Sequence, residues 1–162
     1  FESLYFYQYK NGKLKYLDQL ANTNYTVNNR TDDGRLIFTA EQYGDVLLGN
    51  YAVNKSYQFI NEHFQEIVPE FYPFLKKTES FLTLKQDISL YKTQNKEETI
   101  LFPAGCRVIR VGSPDLTEWL LLENADTKEQ GWLQMESGIN CILPNGSVLD
   151  GEELFDGILL AG

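Results

Sequence analysis

Residues 118–133, EWLLLENADTKEQGWL, contain two apolar runs separated by the polar segment ADTKEQ, together with both tryptophans of the chain. Within the first run, Leu120 and Leu122 fall on one side, whereas Trp119 and Glu123 fall on the other. A period of two is typical of a strand, and two such strands joined by a short polar segment form a hairpin. The stretch therefore predicts an antiparallel hairpin with one aliphatic face, which is the face expected in a core.

Short strands separated by turn residues continue on both sides of this hairpin. In the C-terminal half, the segments DISLYK, ILFPAG, CRVIRVG, EWLLLEN and GWLQM are spaced as in a small barrel. In the N-terminal part, SLYFYQY and KLKYL flank Asn11-Gly12, a dipeptide typical of tight hairpins. RLIFTA and DVLLGNYAV then follow a second predicted turn at Asp33-Gly34. The chain is thus predicted to be mainly β.

One stretch in the middle has a different period. From Asn54 onwards, apolar residues recur every three or four positions, as on one stripe of a helix. These residues are Tyr57, Ile60, Phe64, Ile67, Val68 and Phe71. Pro69 and Pro73 do not fit a helix interior, so the predicted helix ends near Val68 and PEFYPFLKK forms a separate turn or short helix.

The predicted organisation is α+β in three parts. An N-terminal β-hairpin or meander covers 1–53, a helical connector covers 54–79, and a small β-barrel with its tail covers 80–162. The tail is expected to pack back on the barrel because many of its residues are apolar. They are Val148, Leu149, Leu154, Phe155, Ile158 and Leu159.

Composition limits the class of protein. The 162 residues are 43% apolar and 14% aromatic, which is typical of globular chains. The net charge of −9 repels a phosphate backbone and the sequence has no basic stripe, so no nucleic-acid partner is expected. No run approaches the ~20 apolar residues that span a bilayer. We therefore expect a soluble chain without a transmembrane segment, which would fit the mature part of an exported precursor.

Residues 84–136 resemble a bacterial Src-homology-three-type domain, a small five-stranded barrel common in exported and cell-wall-associated bacterial proteins. The pattern consists of Pro103-Ala104-Gly105 before CRVIRVG, then Glu118-Trp119-Leu120, then Gly131-Trp132-Leu133. The chain departs from the family at its entry, where DISLYKTQNKEET replaces the usual apolar-x-apolar-Arg start. The resemblance implies an extracellular or cell-surface bacterial protein, secreted or lipid-anchored, and associated with the cell wall. The N-terminal third resembles no family.

Both tryptophans fall on the more polar face of their strands, which leaves two interpretations open. They line a groove, where a large ring with one polar N–H suits a partly wet surface, or they pack under the helix or the tail. In a groove, Tyr91 is expected beside them, with three acidic residues selecting charge at the rim. The candidate ligand-binding residues are Tyr91, Trp119, Trp132, Glu118, Glu123 and Asp115.

Catalytic and metal chemistry has little support in the sequence. The single histidine, His63, lies between Glu62 and Glu66, and neither Cys106 nor Cys141 begins a predicted helix that would stabilise a thiolate. Zinc spacing, a phosphate loop and an EF-hand ladder are all missing from the sequence. We therefore predict no catalytic residue, no metal and no cofactor. The two cysteines could form one disulfide, although free buried thiols are the simpler interpretation.

The predicted function is a non-enzymatic binding or scaffolding module of a bacterial exported or surface protein. Its barrel aromatics would recognise a peptide or a cell-wall glycopeptide. One alternative is a structural interaction or oligomerisation domain without a small ligand, and another is the accessory part of a cell-wall hydrolase. All three predict an acidic chain, so composition does not separate them, and the oligomeric state does not follow from the sequence.

Overall fold

The computed structural model describes residues 3–20, 23–25, 37–44, 47–76 and 81–158, and almost all regular structure within them is β. The strands are β1 (Leu4–Lys10), β2 (Lys13–Leu20), β3 (Thr23–Tyr25), β4 (Ile37–Gly44), β5 (Tyr51–Ile60), β6 (His63–Ile67), β7 (Tyr72–Pro73), β8 (Phe81–Leu84), β9 (Ile88–Tyr91), β10 (Thr99–Phe102), β11 (Arg107–Ser113), β12 (Trp119–Asn124), β13 (Gln130–Met135), β14 (Asn140–Ile142), β15 (Val148–Asp150) and β16 (Phe155–Asp156). The one α-helix within the described ranges, α1 (Gly151–Leu154), has four residues. The prediction of a mainly β chain is confirmed, whereas the α+β layout is not what the structure has.

The chain divides into two compact units. Unit 1 consists of Phe1–Tyr43 and Val53–Pro69, and unit 2 consists of Gly44–Ala52 and Glu70–Gly162. This division differs from the three predicted parts because the strands that follow residue 53 belong to the first unit. No segment of the chain forms a helical connector within the described residues.

In unit 1, β1 and β2 form the hairpin predicted at Asn11-Gly12. Both turn residues have positive φ, 53° and 74°, as a tight two-residue turn requires. One face of this hairpin packs on the hairpin formed by β5 and β6. There the ring centroids of Phe6 and Phe64 lie 4.0 Å apart, beside buried Tyr57. The other face carries large side chains that are 49–72% exposed, and we call it the tyrosine ladder. Its members are Tyr5, Tyr7, Tyr9, Leu14 and Tyr16.

The helix predicted from Asn54 to Val68 is wrong, because these residues form the hairpin of β5 and β6. Asn61 and Glu62 join the two strands with φ values of 53° and 66°, which a helix does not allow. A spacing of three and four along the chain also fits two short strands, and the packing of Tyr57 and Phe64 favours the strands. The apolar residues of the predicted helical stripe do not form one buried face, because Ile67 and Val68 are 39% and 69% exposed.

Unit 2 is built on a curled, barrel-like antiparallel sheet with the order β10-β9-β13-β12-β11-β8-β16. β14 pairs with β13 and β15, and β7 pairs with β11. The five strands predicted between residues 84 and 136 are all present as β9 to β13. Side chains from these strands and their neighbours fill the core with at most 2% exposure. They are Leu82, Leu84, Ile88, Leu90, Phe102, Val108, Leu120, Leu122, Leu133 and Phe155.

Part of the apolar tail packs on this sheet, as predicted, whereas Val148 is 48% exposed. Leu154 and Phe155 are 0% and 1% exposed, and Phe155 pairs with Leu84 of β8. Asp150 caps the short helix by accepting a hydrogen bond from the backbone N–H of Glu152 over 2.7 Å. The tail residue Leu159 and the predicted turn at Asp33-Gly34 lie outside the described residues.

The strand predicted over DVLLGNYAV begins only at Tyr51, since residues 47–49 form a buried bend. Leu47 and Leu48 have φ of 62°, in the left-handed region that bulky residues avoid, so tertiary contacts must hold them there. Arg110 contacts the bend at Leu47 and the residue that follows it, Asn50. Its guanidinium donates to the carbonyl oxygens of Leu47 over 3.4 Å and of Asn50 over 2.8 Å, and it is 5% exposed. Burial lowers the pKa of Arg110 to about 10.

Candidate binding face of the barrel-like sheet

The β12–β13 hairpin places its two sets of side chains as the alternation predicts. Leu120, Leu122 and Leu133 are fully buried and Met135 is 2% exposed, so the aliphatic set is the core face. The opposite set is half-buried, and we call the side of the sheet that it occupies the outer face. Its members on these strands are Trp119, Leu121, Glu123, Trp132 and Gln134.

Four aromatic residues lie on this outer face as two ring pairs, which the pairing of β13 with β9 brings side by side. Trp132 of β13 pairs with Tyr91 of β9 and makes an edge contact with Phe71, with ring centroids 6.1 Å apart. Tyr91 makes a second edge contact with Trp119 of β12, at 6.0 Å and 67°. The aromatic strip therefore consists of Phe71, Trp132, Tyr91 and Trp119. Tyr91 is only 9% exposed, whereas the other three rings are half-buried.

The strip brings together the three aromatic residues that the sequence singled out, and adds one that it did not. The spacing of apolar residues places Phe71 on the helical stripe of the predicted connector, and it predicts no contact between Phe71 and the tryptophans. In the structure its ring lies over Gly112 of β11, where a Cβ atom would be 2.6 Å from Cζ of the ring. The glycine in CRVIRVG thus leaves space for the backbone oxygen of Tyr72 and for this ring, but nothing in the sequence indicates which ring it is.

Lys96 is the second residue of the outer face that sequence reasoning missed. It lies in the loop between β9 and β10, and its ammonium Nζ is 5.5 Å from the ring centroid of Trp119 and 5.9 Å from that of Tyr91. The same nitrogen donates a hydrogen bond to Gln134 Oε1 over 2.7 Å. A cation at these distances is attracted by both rings.

The three acidic candidates have different surroundings. Asp115 Oδ1 accepts hydrogen bonds from the backbone N–H groups of Thr117 and Glu118, so it stabilises the turn before β12. Glu118 is exposed at the end of that turn, next to Trp119. Glu123 accepts from Gln130 Nε2 over 2.9 Å, a hydrogen bond that lowers the pKa of its carboxyl.

A shallow cavity of about 400 Å³ opens on the same face. It lies where the strand paired with β13 changes from β9 to β14. It is lined by Asp87, Ile88, Ser89, Thr99, Leu101, Leu143, Pro144 and Asn145. Thr99 is the direct cross-strand partner of Tyr91, and Ser89 precedes Tyr91 by two positions on β9. Both hydroxyls therefore lie on the face of the aromatic strip.

The disulfide allowed by the sequence is not formed, and both Cys106 and Cys141 are free thiols. Cys141 pairs with Met135 at one end of the β12–β13 hairpin, whereas Cys106 precedes the residue pair Val108 and Asn124 at the other end. With ~3.3 Å per residue along a strand, this register separates the cysteines far beyond the ~7 Å that a disulfide allows between Cα atoms.

The candidate nucleophiles are held as thiols. Burial raises the pKa of Cys141 to about 12, and burial, with Asp126 nearby, raises the pKa of Cys106 as well. His63 belongs to unit 1, where its side chain is 70% exposed and Nδ1 lies 3.8 Å from Asp18 Oδ2. The raised pKa of each thiol disfavours the thiolate that nucleophilic catalysis needs.

The described residues contain neither a grouping of metal-ligating side chains nor a membrane-spanning helix. Among residues 3–158 outside the undescribed gaps, no three His, Cys, Asp or Glu side chains are grouped so that they could hold a metal ion. No helix in that same part of the chain is long and apolar enough to cross a membrane.

Comparisons of the chain with models of protein families, with curated proteins and with solved structures give no match. The resemblance of residues 84–136 to a bacterial Src-homology-three-type domain therefore stays a prediction from motifs. What the geometry adds is a mainly β chain with a barrel-like sheet, whose outer face carries the aromatic strip.

Proposed function

We propose that the chain is a non-enzymatic binding module that recognises an extended peptide or cell-wall glycopeptide through the aromatic strip of unit 2. The observation that carries this proposal is two edge-to-face ring pairs, Phe71–Trp132 and Tyr91–Trp119, which the cross-strand pairing of Trp132 with Tyr91 places side by side on the outer face of the sheet. The motif resemblance supports a bacterial exported or surface protein as the setting.

The strip suits recognition because its rings are held before a ligand arrives. Each aromatic side chain has only two rotatable bonds, so ordering it on a ligand costs little conformational entropy. Trp119 and Trp132 also carry an indole N–H, which gives a stacking surface a directional donor. The hydroxyls of Ser89 and Thr99 in the adjoining cavity supply further polar contacts for a ligand that continues past Tyr91.

We propose recognition without turnover because the thiols and the histidine that could act as nucleophile and base are poorly placed for catalysis. The two thiols have raised pKa values, and His63 is an exposed surface residue. A wall hydrolase would need one of these groups, or a pair of carboxylates, in the binding face. The direct test of that alternative is turnover of wall material by the variants His63→Ala, Cys106→Ala and Cys141→Ala.

The first experiment is a titration of the chain with soluble peptidoglycan fragments, followed by tryptophan fluorescence with and without iodide. We expect iodide to quench the partly exposed indoles and the fragments to relieve this quenching. Trp119→Ala, which keeps Trp132 as the reporter, should weaken binding at least tenfold, since an aromatic anchor contributes ~1.4 kcal/mol or more. Val148→Ala is the matched control, because Val148 is an exposed apolar residue of β15 that is not part of the strip.

A binding isotherm that is equally strong for Trp119→Ala and Val148→Ala would contradict the proposal. So would fluorescence that no fragment alters at millimolar concentration.

A second candidate, an interaction or oligomerisation domain, is supported by the tyrosine ladder of unit 1. Four tyrosines that are about half exposed, with ~150–250 Å² each, present on the order of 500 Å² of aromatic surface. This is at the upper end for the largest apolar patch of a monomer, and such patches are often interfaces.

Sedimentation over a range of concentrations tests this second candidate. We expect the unaltered chain to associate and the double variant Tyr7→Ser, Tyr9→Ser to remain monomeric. Gln8→Ser, on the opposite face of the same strand, is the control and should associate like the unaltered chain. A chain that is monomeric at all concentrations would contradict self-association through the ladder.

A further inference from the structure

We propose that Tyr91, Trp119 and Gln134 form a cradle for a primary ammonium group, and that Lys96 occupies this cradle until a ligand displaces it. This inference rests on the binding role proposed above and deepens it by naming one chemical group of the ligand. We call these three residues the ammonium cradle.

An ammonium group, that of Lys96, already lies between these three residues. Lys96 Nζ is 5.5 Å from the centroid of Trp119 and 5.9 Å from that of Tyr91, both within the ~6 Å over which a cation is attracted to an aromatic face. It also donates to Gln134 Oε1 over 2.7 Å, the distance of a charge-assisted hydrogen bond. The two rings are inclined at 67°, so the nitrogen is attracted by two rings of different orientation.

The ammonium cradle is formed by residues on strands, whereas Lys96 lies in a loop. The three cradle residues lie on adjacent strands, and Trp119 is the direct cross-strand partner of Gln134 in the β12–β13 hairpin. Lys96 lies on an exposed loop with φ of 65°, in the left-handed region that residues with a side chain rarely adopt. The sheet therefore holds the cradle in place, whereas the loop residue can leave without breaking any strand pairing.

The charge of the surroundings favours a cationic ligand. Unit 2 contains 16 acidic and 8 basic residues, which gives a net charge of −8 out of −9 for the chain. Glu118 precedes Trp119 and Glu97 follows Lys96, and both are exposed. A surface of this sign concentrates cations and repels anions.

The geometry also predicts which cation binds. A lysine side chain already reaches the cradle, so the ligand group is an amine at the end of an aliphatic chain, as on a lysine or another diamino acid of a peptide. A trimethylated amine keeps its charge but has no N–H for Gln134, so it should bind more weakly than the primary amine. Without Lys96 the cradle is free, and if Lys96 occupies it about nine-tenths of the time, affinity should rise about tenfold.

The test is a titration of the full chain and of Lys96→Gln with Nα-acetyl-lysine methylamide, followed by the indole N–H resonance of Trp119. Lys96→Gln should bind about tenfold more tightly than the unaltered chain. Lys92→Gln is the matched control, because Lys92 is in the same loop but pairs with Glu98 over 2.9 Å and faces neither ring. The norleucine analogue, which lacks the amine, should not bind, and Gln134→Ala in the Lys96→Gln background should abolish the gain.

Three results would overturn the inference. They are equal affinities for Lys96→Gln and Lys92→Gln, equal binding of the lysine and norleucine probes, and no saturable binding by Lys96→Gln. A different result would contradict the proposed wall ligand alone. In that case Lys96→Gln would bind the lysine probe, but no wall fragment would bind to the chain. Conversely, wall fragments that bind equally before and after acetylation of their amines would leave the binding module in place and exclude the cradle.

Discussion

Gly131 of β13 is the position where a single methyl group should test the packing of the barrel-like sheet. A Cβ built at Gly131 would lie 2.6 Å from Cβ and 2.9 Å from Cδ1 of Leu90, and 3.2 Å from Cγ2 of Ile100. Carbon atoms in contact prefer ~3.5–4.0 Å, so the overlap with Leu90 is about 1 Å. Because the nearest atom is the Cβ of Leu90, which is fixed to the backbone, no change of rotamer relieves it, and β9 must move away from β13.

We expect Gly131→Ala to lower the free energy of unfolding by about 2 kcal/mol, within the usual ~1–3 kcal/mol for an overpacked core. For a unit of about 100 residues this corresponds to a fall in Tm on the order of 10 °C. The same displacement separates Tyr91 from Trp132, so the tryptophan emission should shift as well. Thermal unfolding followed by circular dichroism and fluorescence measures both effects.

Gln130→Ala is the matched control for this experiment, because Gln130 is the exposed neighbour on the same strand and the loss of its exposed hydrogen bond to Glu123 should cost less than ~1 kcal/mol. If Gly131→Ala were as stable as this control, the sheet would be able to absorb a methyl group at the β9–β13 contact. The reasoning from close packing would then be refuted.

Three further predictions concern titratable and charged groups. Cys106 should react with a thiol reagent at pH 8 in the folded chain, whereas Cys141, buried and with its pKa raised to about 12, should react only on unfolding; mass spectrometry distinguishes them. The pKa of Asp18 is lowered from 3.8, mainly by the backbone N–H of Phe64, so its stabilising effect on unit 1 is present above that pH and is lost as the pH falls. Asp18→Asn should therefore reduce the acid sensitivity of unfolding below pH 4, and an unchanged pH profile would count against this. Arg110→Met should cost ~2–4 kcal/mol in urea unfolding because it removes the buried guanidinium and its hydrogen bonds to the carbonyl oxygens of Leu47 and Asn50, and a cost below ~1 kcal/mol would contradict that role.

The N-terminal half shows where a sequence pattern is ambiguous. The spacing of Tyr57, Ile60 and Phe64 fits one stripe of a helix, and it fits equally well two strands that meet at a turn. The turn itself, Asn61-Glu62, is not a strong hairpin signal like Asn11-Gly12, because only one of its residues readily adopts positive φ. Phe64 contacts Phe6, a residue that lies far away in the sequence. This contact stabilises the hairpin of β5 and β6, and local spacing does not predict it.

The sequence by itself determined the β character of residues 88–135, the aliphatic core face and the aromatic outer face. These features depend on alternation and local turn chemistry, which each segment carries within itself. Only the tertiary structure decided that Phe71 and Lys96 join Tyr91, Trp119 and Trp132, that the cysteines lie at opposite ends of a hairpin, and that residues 54–67 form strands. The physical reason is the same in each case: these contacts depend on strand order and register, which arise from the pairing of distant segments.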